Sequence, residues 1–188
     1  MRKILLGEKR ESGLSLIELL MVIVILGIMA GVAIPTFSVW LPSHRLKSAA
    51  RDLYSDLQSA KLKAIRSNGD CAVVFNRGAG TYEVVTGGTD RDFSTAGDNV
   101  TEKTVTLSNY KSEVGFGTGN AVNNWSGSPV PGTGVTYNPE RVVFNSRGMT
   151  NDMGYVYLDN GNNDKCYAVG TLLTGVILMK RWSGSAWN

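Results

Sequence analysis

The sequence predicts an α+β protein in which one long N-terminal helix lies on antiparallel β-sheet. Three observations carry this. An apolar stretch lies near the N-terminus, a segment with helical apolar period follows, and the rest is short β-like runs bounded by Gly, Asn, Asp or Pro. At 188 residues, 43% hydrophobic and net charge +3, the chain has room for one domain plus an appendage.

The charge is unevenly placed. Residues 1–12 carry four Lys/Arg against two Asp/Glu, residues 43–67 six against two, and residues 68–188 nine against eleven. The basic character belongs to the N-terminal third, so the C-terminal part has no broad basic field for a phosphate backbone. The two cysteines, Cys71 and Cys166, exclude a cysteine zinc site and a disulfide-dense scaffold.

Residues 19–34 contain no charge, and from Leu14 the run is broken only by Ser15 and Glu18. As a helix, the 21 residues of 14–34 rise about 31 Å, the thickness of a bilayer hydrocarbon core. The positive segment before it places residues 1–13 on the cytoplasmic side. A secretory signal ends in a small-x-small site after its apolar core, whereas here the polar break, Ser12-Gly13, comes first. Glu18 is the anomaly. A carboxylate inside a membrane helix is costly and calls for a partner, unless the helix starts after it and leaves the acid at the interface.

Gly13-Leu14-Ser15-Leu16-Ile17-Glu18-Leu19-Leu20 resembles the prepilin motif of type IV pilins and type II secretion pseudopilins. The resemblance implies cleavage between Gly13 and Leu14 by a membrane aspartyl prepilin peptidase and N-methylation of Leu14. Glu18 is then the fifth mature residue. Leu14 stands where the family usually has Phe. The resemblance further implies that Glu18 pairs, within a filament, with the α-amino group of a neighbour's Leu14. Either charge alone in an apolar bundle would be strongly unfavourable.

Pro35 and Pro42 each remove a backbone donor and are expected to bend or interrupt the helix. Leu46, Ala49, Ala50, Leu53, Leu57, Ala60 and Ala64 then recur at helical spacing, predicting an amphipathic helix over 35–67 that stops near Ser67, at Asn68-Gly69. The charges off this stripe read as a solvated face, some of them available for pairing between subunits. In 68–188 the candidate strands are 71–76, 81–85, 103–107, 114–116, 135–137, 141–144, 154–158, 166–169 and 175–182. Residues 86–101 and 117–140 read as long exposed loops.

The segments starting at Leu46, Leu57 and Ala64, with Val143-Phe144-Asn-Ser-Arg-Gly148 and a closing Thr174-Gly175 strand, resemble the minor pseudopilin H/FimT family. This implies a type IV pilin-like fold and a structural role. The subunit would be single-pass in the inner membrane, with a periplasmic β-rich domain. It would belong either to the pseudopilus of a type II secretion system or, FimT-like, to a type IV pilus. The implied partners are other pilins or pseudopilins, the prepilin peptidase and the inner-membrane assembly platform. Some members bind DNA through an arginine just after the glycine of the last strand. Here that position is Val176, while Lys180, Arg181 and Trp182, with Trp187, offer either a small basic-aromatic stacking site or an edge strand whose aromatics pack down.

Other candidate chemistry is sparse. His44 has no nucleophile or carboxylate at catalytic spacing, and reads as structural or exposed. The run from Asp159 to Asp164 and the pair Asp90/Asp92 could offer oxygens to calcium, but lack the EF-hand spacing and read as turns. No metal, cofactor or enzymatic activity is expected. Cys71 and Cys166 each open a predicted strand, so an oxidising periplasm allows either a disulfide or two buried thiols.

Overall fold

The computed structural model describes residues 13, 15–90, 93, 97–124, 127–130, 132–162 and 165–188, without the side chains of 32–36, 38 and 39. The chain forms two compact units, Met1–Val39 and Trp40–Asn188. Helix α1 (Leu16–Ser67) contributes residues to both. It continues through Pro35 and Pro42, so of the bend or interruption expected there, the interruption does not occur. Each proline removes one bond from the ladder while the flanking turns keep theirs.

The helix stops where Asn68 takes a left-handed conformation, φ 48°. Asn68 N–H donates to Ile65 O at 3.4 Å and Gly69 N–H to Ala64 O at 3.1 Å. This is a Schellman ending, and it satisfies carbonyls that a helix C-terminus otherwise leaves open.

Among the described residues, eight strands follow in two antiparallel sheets. The first has the order β3-β2-β1-β5, from β1 (Cys71–Asn76), β2 (Thr81–Thr86), β3 (Val100–Thr106) and β5 (Arg141–Phe144). The second has the order β4-β6-β7-β8, from β4 (Gly115–Phe116), β6 (Gly154–Asp159), β7 (Cys166–Thr171) and β8 (Ile177–Arg181). Strand β3 lies at an edge and is largely exposed, with Glu102 and Lys103 among its residues. Charges of this kind discourage edge-to-edge pairing. The chain leaves β3 before Leu107, which starts a 3-10 turn (Leu107–Tyr110) and is buried.

The predicted strand at 135–137 is reduced to one bridge, Val135 to Val156. Nor is the 117–140 segment an exposed loop throughout, since Ala121, Val135 and Tyr137 are buried. The Tyr137 ring stacks on Phe75 (centroids 5.7 Å, planes 10° apart), and its hydroxyl shares a 2.9 Å hydrogen bond with that of Thr171. Aromatic burial of this size holds a segment that makes no ladder of its own.

The main core joins the helix to both sheets. Leu46, Ala49, Ala50, Leu53, Leu57, Ala60 and Ala64 are all 0% exposed, among side chains such as Val73, Tyr82, Phe144, Val156 and Val169. Strand β7 is buried on both faces. Tyr167 and Val169 join the main core, while Cys166 and Ala168 join a smaller cluster with Ala121, Tyr157 and Trp182. That is the two-residue alternation of a strand covered on both sides.

Candidate assembly site

The N-terminal end of α1 is built around Glu18. Leu19 N–H donates to Ser15 O at 3.1 Å, and Glu18 lies in the helix's first turn. A helix starting only after Glu18 is therefore not what forms. Ser15 and Glu18 have the spacing of a capping box, and a carboxylate in the first turn is favoured by the helix dipole. Glu18 is exposed and makes no ion pair among the described residues. Gly13 is exposed with open space on its side-chain face, and Leu14 lies outside the described residues.

From residue 16 to 29, every large apolar side chain is between 49% and 81% exposed. Among the described residues no helix is long and apolar enough to cross a membrane. Residues 16–31 of the helix alone rise about 24 Å, against a bilayer core of about 30 Å.

In the second unit the charges of α1 are not simply a solvated face. Tyr82 donates to Asp56 Oδ2 at 2.8 Å, and Lys103 Nζ donates to both Asp56 oxygens at 2.7 and 2.8 Å. Tyr110 donates to Asp52 at 2.6 Å, Arg45 to Ser112 at 2.8 Å, and Lys63 pairs with Glu102. Burial, and then the Asp56 carboxylate, push the Tyr82 phenol far above its usual range. These polar ties fix the helix over its sheets, and sequence reading missed them. Helix spacing marks which residues lie off the apolar stripe but not what waits opposite.

The Phe144-x-x-x-Gly148 element docks against the same helix. Phe144 is fully buried, and the Asn145 side chain accepts from Arg147 N–H at 2.9 Å and Met149 N–H at 3.1 Å. Gly148 has φ 74°, and a Cβ there would lie 2.8 Å from Ile65 Cδ1. Gly175, also left-handed at φ 75°, would place a Cβ 1.8 Å from Gly148 O. Lys61 Nζ donates to Gly175 O at 2.9 Å. Gly175 sits in the turn that precedes β8, so the closing strand begins at Ile177 and not at the glycine.

The remaining candidates separate. Val176 and Arg181 are exposed, but Trp182 is buried and packs against Trp187 at 5.4 Å. Trp182 is therefore not a stacking platform beside Lys180 and Arg181. His44 is exposed and lies 4.8 Å from the Trp40 ring. Asp159 accepts from Gly119 N–H at 3.0 Å, and burial raises its carboxyl above the usual range. Among the described residues no three His, Cys, Asp or Glu converge as metal ligands; Asp92 and Asp164 lie outside them.

Cys71 and Cys166 are free, buried thiols, so the disulfide does not form. They open strands of different sheets, and they face different core clusters. Burial pushes the Cys71 thiol up to about 11 and the Cys166 thiol up to about 12.

An α-helix with an exposed apolar N-terminal part and a second part buried against antiparallel sheets defines the pilin-like class. Within it the sequence is more specific. Residues 49–175 match the family described as type II transport protein GspH, and residues 9–34 match the prokaryotic N-terminal methylation motif. The chain belongs to the type II transport protein GspH family. It is 44% identical over 74 residues to the pilin-like protein PilA1 of Thermus thermophilus, covering 38% of this chain and 46% of that protein. It thus spans less than half the length of that relative. The fold is similar to that of the minor pseudopilin EpsH from the type 2 secretion system of Vibrio cholerae. There the TM-score is 0.50 at 14% identity, over 72% of this chain and 95% of the other.

Proposed function

We propose that this chain is a structural filament subunit, a minor pseudopilin of a type II secretion system. The observation that carries the reading is the exposed apolar surface over residues 16–29, with Glu18 in its first turn. Such a surface in water is unfavourable and calls for a cover, first lipid and then the helices of neighbouring subunits. In this reading residues 1–13 are a leader, 14–34 the membrane and filament-core helix, 35–67 the amphipathic stalk, and 68–188 the periplasmic domain. A prepilin peptidase cuts between Gly13 and Leu14 and methylates Leu14. Glu18 then meets the Leu14 amine of a neighbour as the assembly platform adds the subunit to a periplasmic pseudopilus.

Mass spectrometry of the protein matured in cells tests the processing: an N-methylated Leu14 terminus is expected, and any other terminus overturns it. Glu18→Ala should be cleaved normally but be recovered in sheared or cross-linked filaments at a small fraction of the unsubstituted level. Equal recovery would remove the charge-pair account.

The similarity to a pilin-like protein favours a second reading, a FimT-like minor pilin of a type IV pilus. Deleting the gene separates the two. Loss of protein secretion supports the pseudopilus, whereas loss of pilus function or DNA uptake with secretion intact supports the pilus.

A further inference from the structure

We propose that a cleft between α1 and the second sheet binds the phosphate headgroup of an anionic phospholipid, an inference that rests on the membrane-anchor reading above. The cleft measures about 210 Å³, and its walls include Trp40, Ser43 and Lys47 of α1 and Lys165, Tyr167 and Arg181 of the sheet. Lys165 immediately precedes β7 and Arg181 ends β8, and the antiparallel register pairs Tyr167 with Arg181, so both cations come to one end of the sheet.

Three cations line the cleft, and the residues lining it include no Asp or Glu. Lys47, Lys165 and Arg181 make no ion pair among the described residues. The acids of the helix's second part are engaged elsewhere, Asp52 by Tyr110 and Asp56 by Tyr82 and Lys103. Lys165 donates to the neutral Ser43 hydroxyl at 2.6 Å, which fixes its position without cancelling its charge. Tyr167, a neutral hydroxyl, is the partner of Arg181.

The location selects lipid. Trp40 is 55% exposed and stands six positions after Ile34, where the apolar run ends. A Trp followed by Lys at the end of an apolar helical run is the pattern of a membrane–water interface, and clustered cations there attract anionic headgroups. A nucleic-acid backbone would need an extended track of cations, whereas residues 68–188 carry nine Lys/Arg against eleven Asp/Glu.

The test uses the full chain in detergent, with native mass spectrometry of lipid adducts in equimolar phosphatidylglycerol and phosphatidylcholine. Preferential retention of phosphatidylglycerol is expected, falling about fivefold for each cation removed in Lys47→Gln and in the triple variant K47Q/K165Q/R181Q. The exposed single variant remains informative should the triple one not fold. Equal retention of both lipids, or an undiminished preference in the variants, overturns the site. So does displacement of phosphatidylglycerol by low millimolar inorganic phosphate, which assigns the cleft to free phosphate, or by a short oligonucleotide, which assigns it to nucleic acid. Insertion into phosphatidylcholine-only vesicles is scored separately. Failure there removes the anchor reading, whereas insertion without headgroup preference removes only this inference.

Discussion

The ammonium of Lys61 donates to the carbonyl of Gly175 at 2.9 Å, tying α1 to a turn 114 positions later in the chain. Gly175 cannot take a side chain, because a Cβ would lie 1.8 Å from the Gly148 oxygen and its φ is 75°. Gly175→Ala is expected to cost about 3 kcal/mol or more, since backbone must move to admit the methyl. Lys61→Met keeps the aliphatic stem and should cost less, about 1.5–3 kcal/mol for the lost charged hydrogen bond. Urea denaturation of the two variants checks the order.

A second prediction concerns Asp56, buried under Tyr82 and Lys103. A double-mutant cycle of Asp56→Asn and Tyr82→Phe should return a coupling of about 1–2 kcal/mol. The Lys103 side chain is half exposed, so Lys103→Met should cost less than about 1 kcal/mol. A larger loss at Lys103 than at Tyr82 would show that the ion pair, and not the buried phenol, holds the helix.

The thiols give a third. Native protein should leave Cys71 and Cys166 unreactive to a thiol reagent, and unfolded protein should titrate as two thiols without prior reduction. Both ionise near 9.0 when unfolded, and near 11 and 12 in the fold. Above pH 9 the unfolded chain therefore binds fewer protons than the folded one, and stability falls as pH rises. This contribution is intact below pH 9 and is lost as pH climbs through 11 and 12. A Cys71→Ala/Cys166→Ala variant should lose stability less steeply between pH 9 and 10, as read by denaturation at each pH.

The two parts of α1 should respond in opposite ways to truncation. Leu53 is 0% exposed, and Leu53→Ala should cost about 2–5 kcal/mol. Ile23 is 60% exposed, and Ile23→Ala should shift the melting temperature of the isolated chain negligibly while lowering its recovery in filaments. Thermal melts and filament recovery separate the two outcomes.

Much of the secondary structure was legible because it is local. The Leu46–Ala64 stripe has one period, Asn68-Gly69 is a helix stop, and β1 and β5 are bounded by turn residues, so each could be read from a few neighbours. Of the bend or interruption expected at Pro35 and Pro42, the interruption does not form because a proline removes one bond, and a long helix can carry that loss. The 135–137 run was misread as a strand because burial without pairing has the same apolar signature. The Cys71–Cys166 alternative could not be resolved from spacing, since strand starts say nothing of which sheet or face a strand joins.

By itself the sequence determined the helix, the place of Glu18 in its first turn, and the motif that puts the chain among pilin-like subunits. These depend on composition and short-range period, which the chain carries residue by residue. Only the tertiary structure decided that Asp56, Lys61 and Arg45 hold the helix instead of facing water, and that the cysteines part into two clusters. It also decided that Lys47, Lys165 and Arg181 meet at one cleft. Those relations join positions tens of residues apart, and a carbonyl, a phenol or a cation across a sheet leaves no mark in the local pattern.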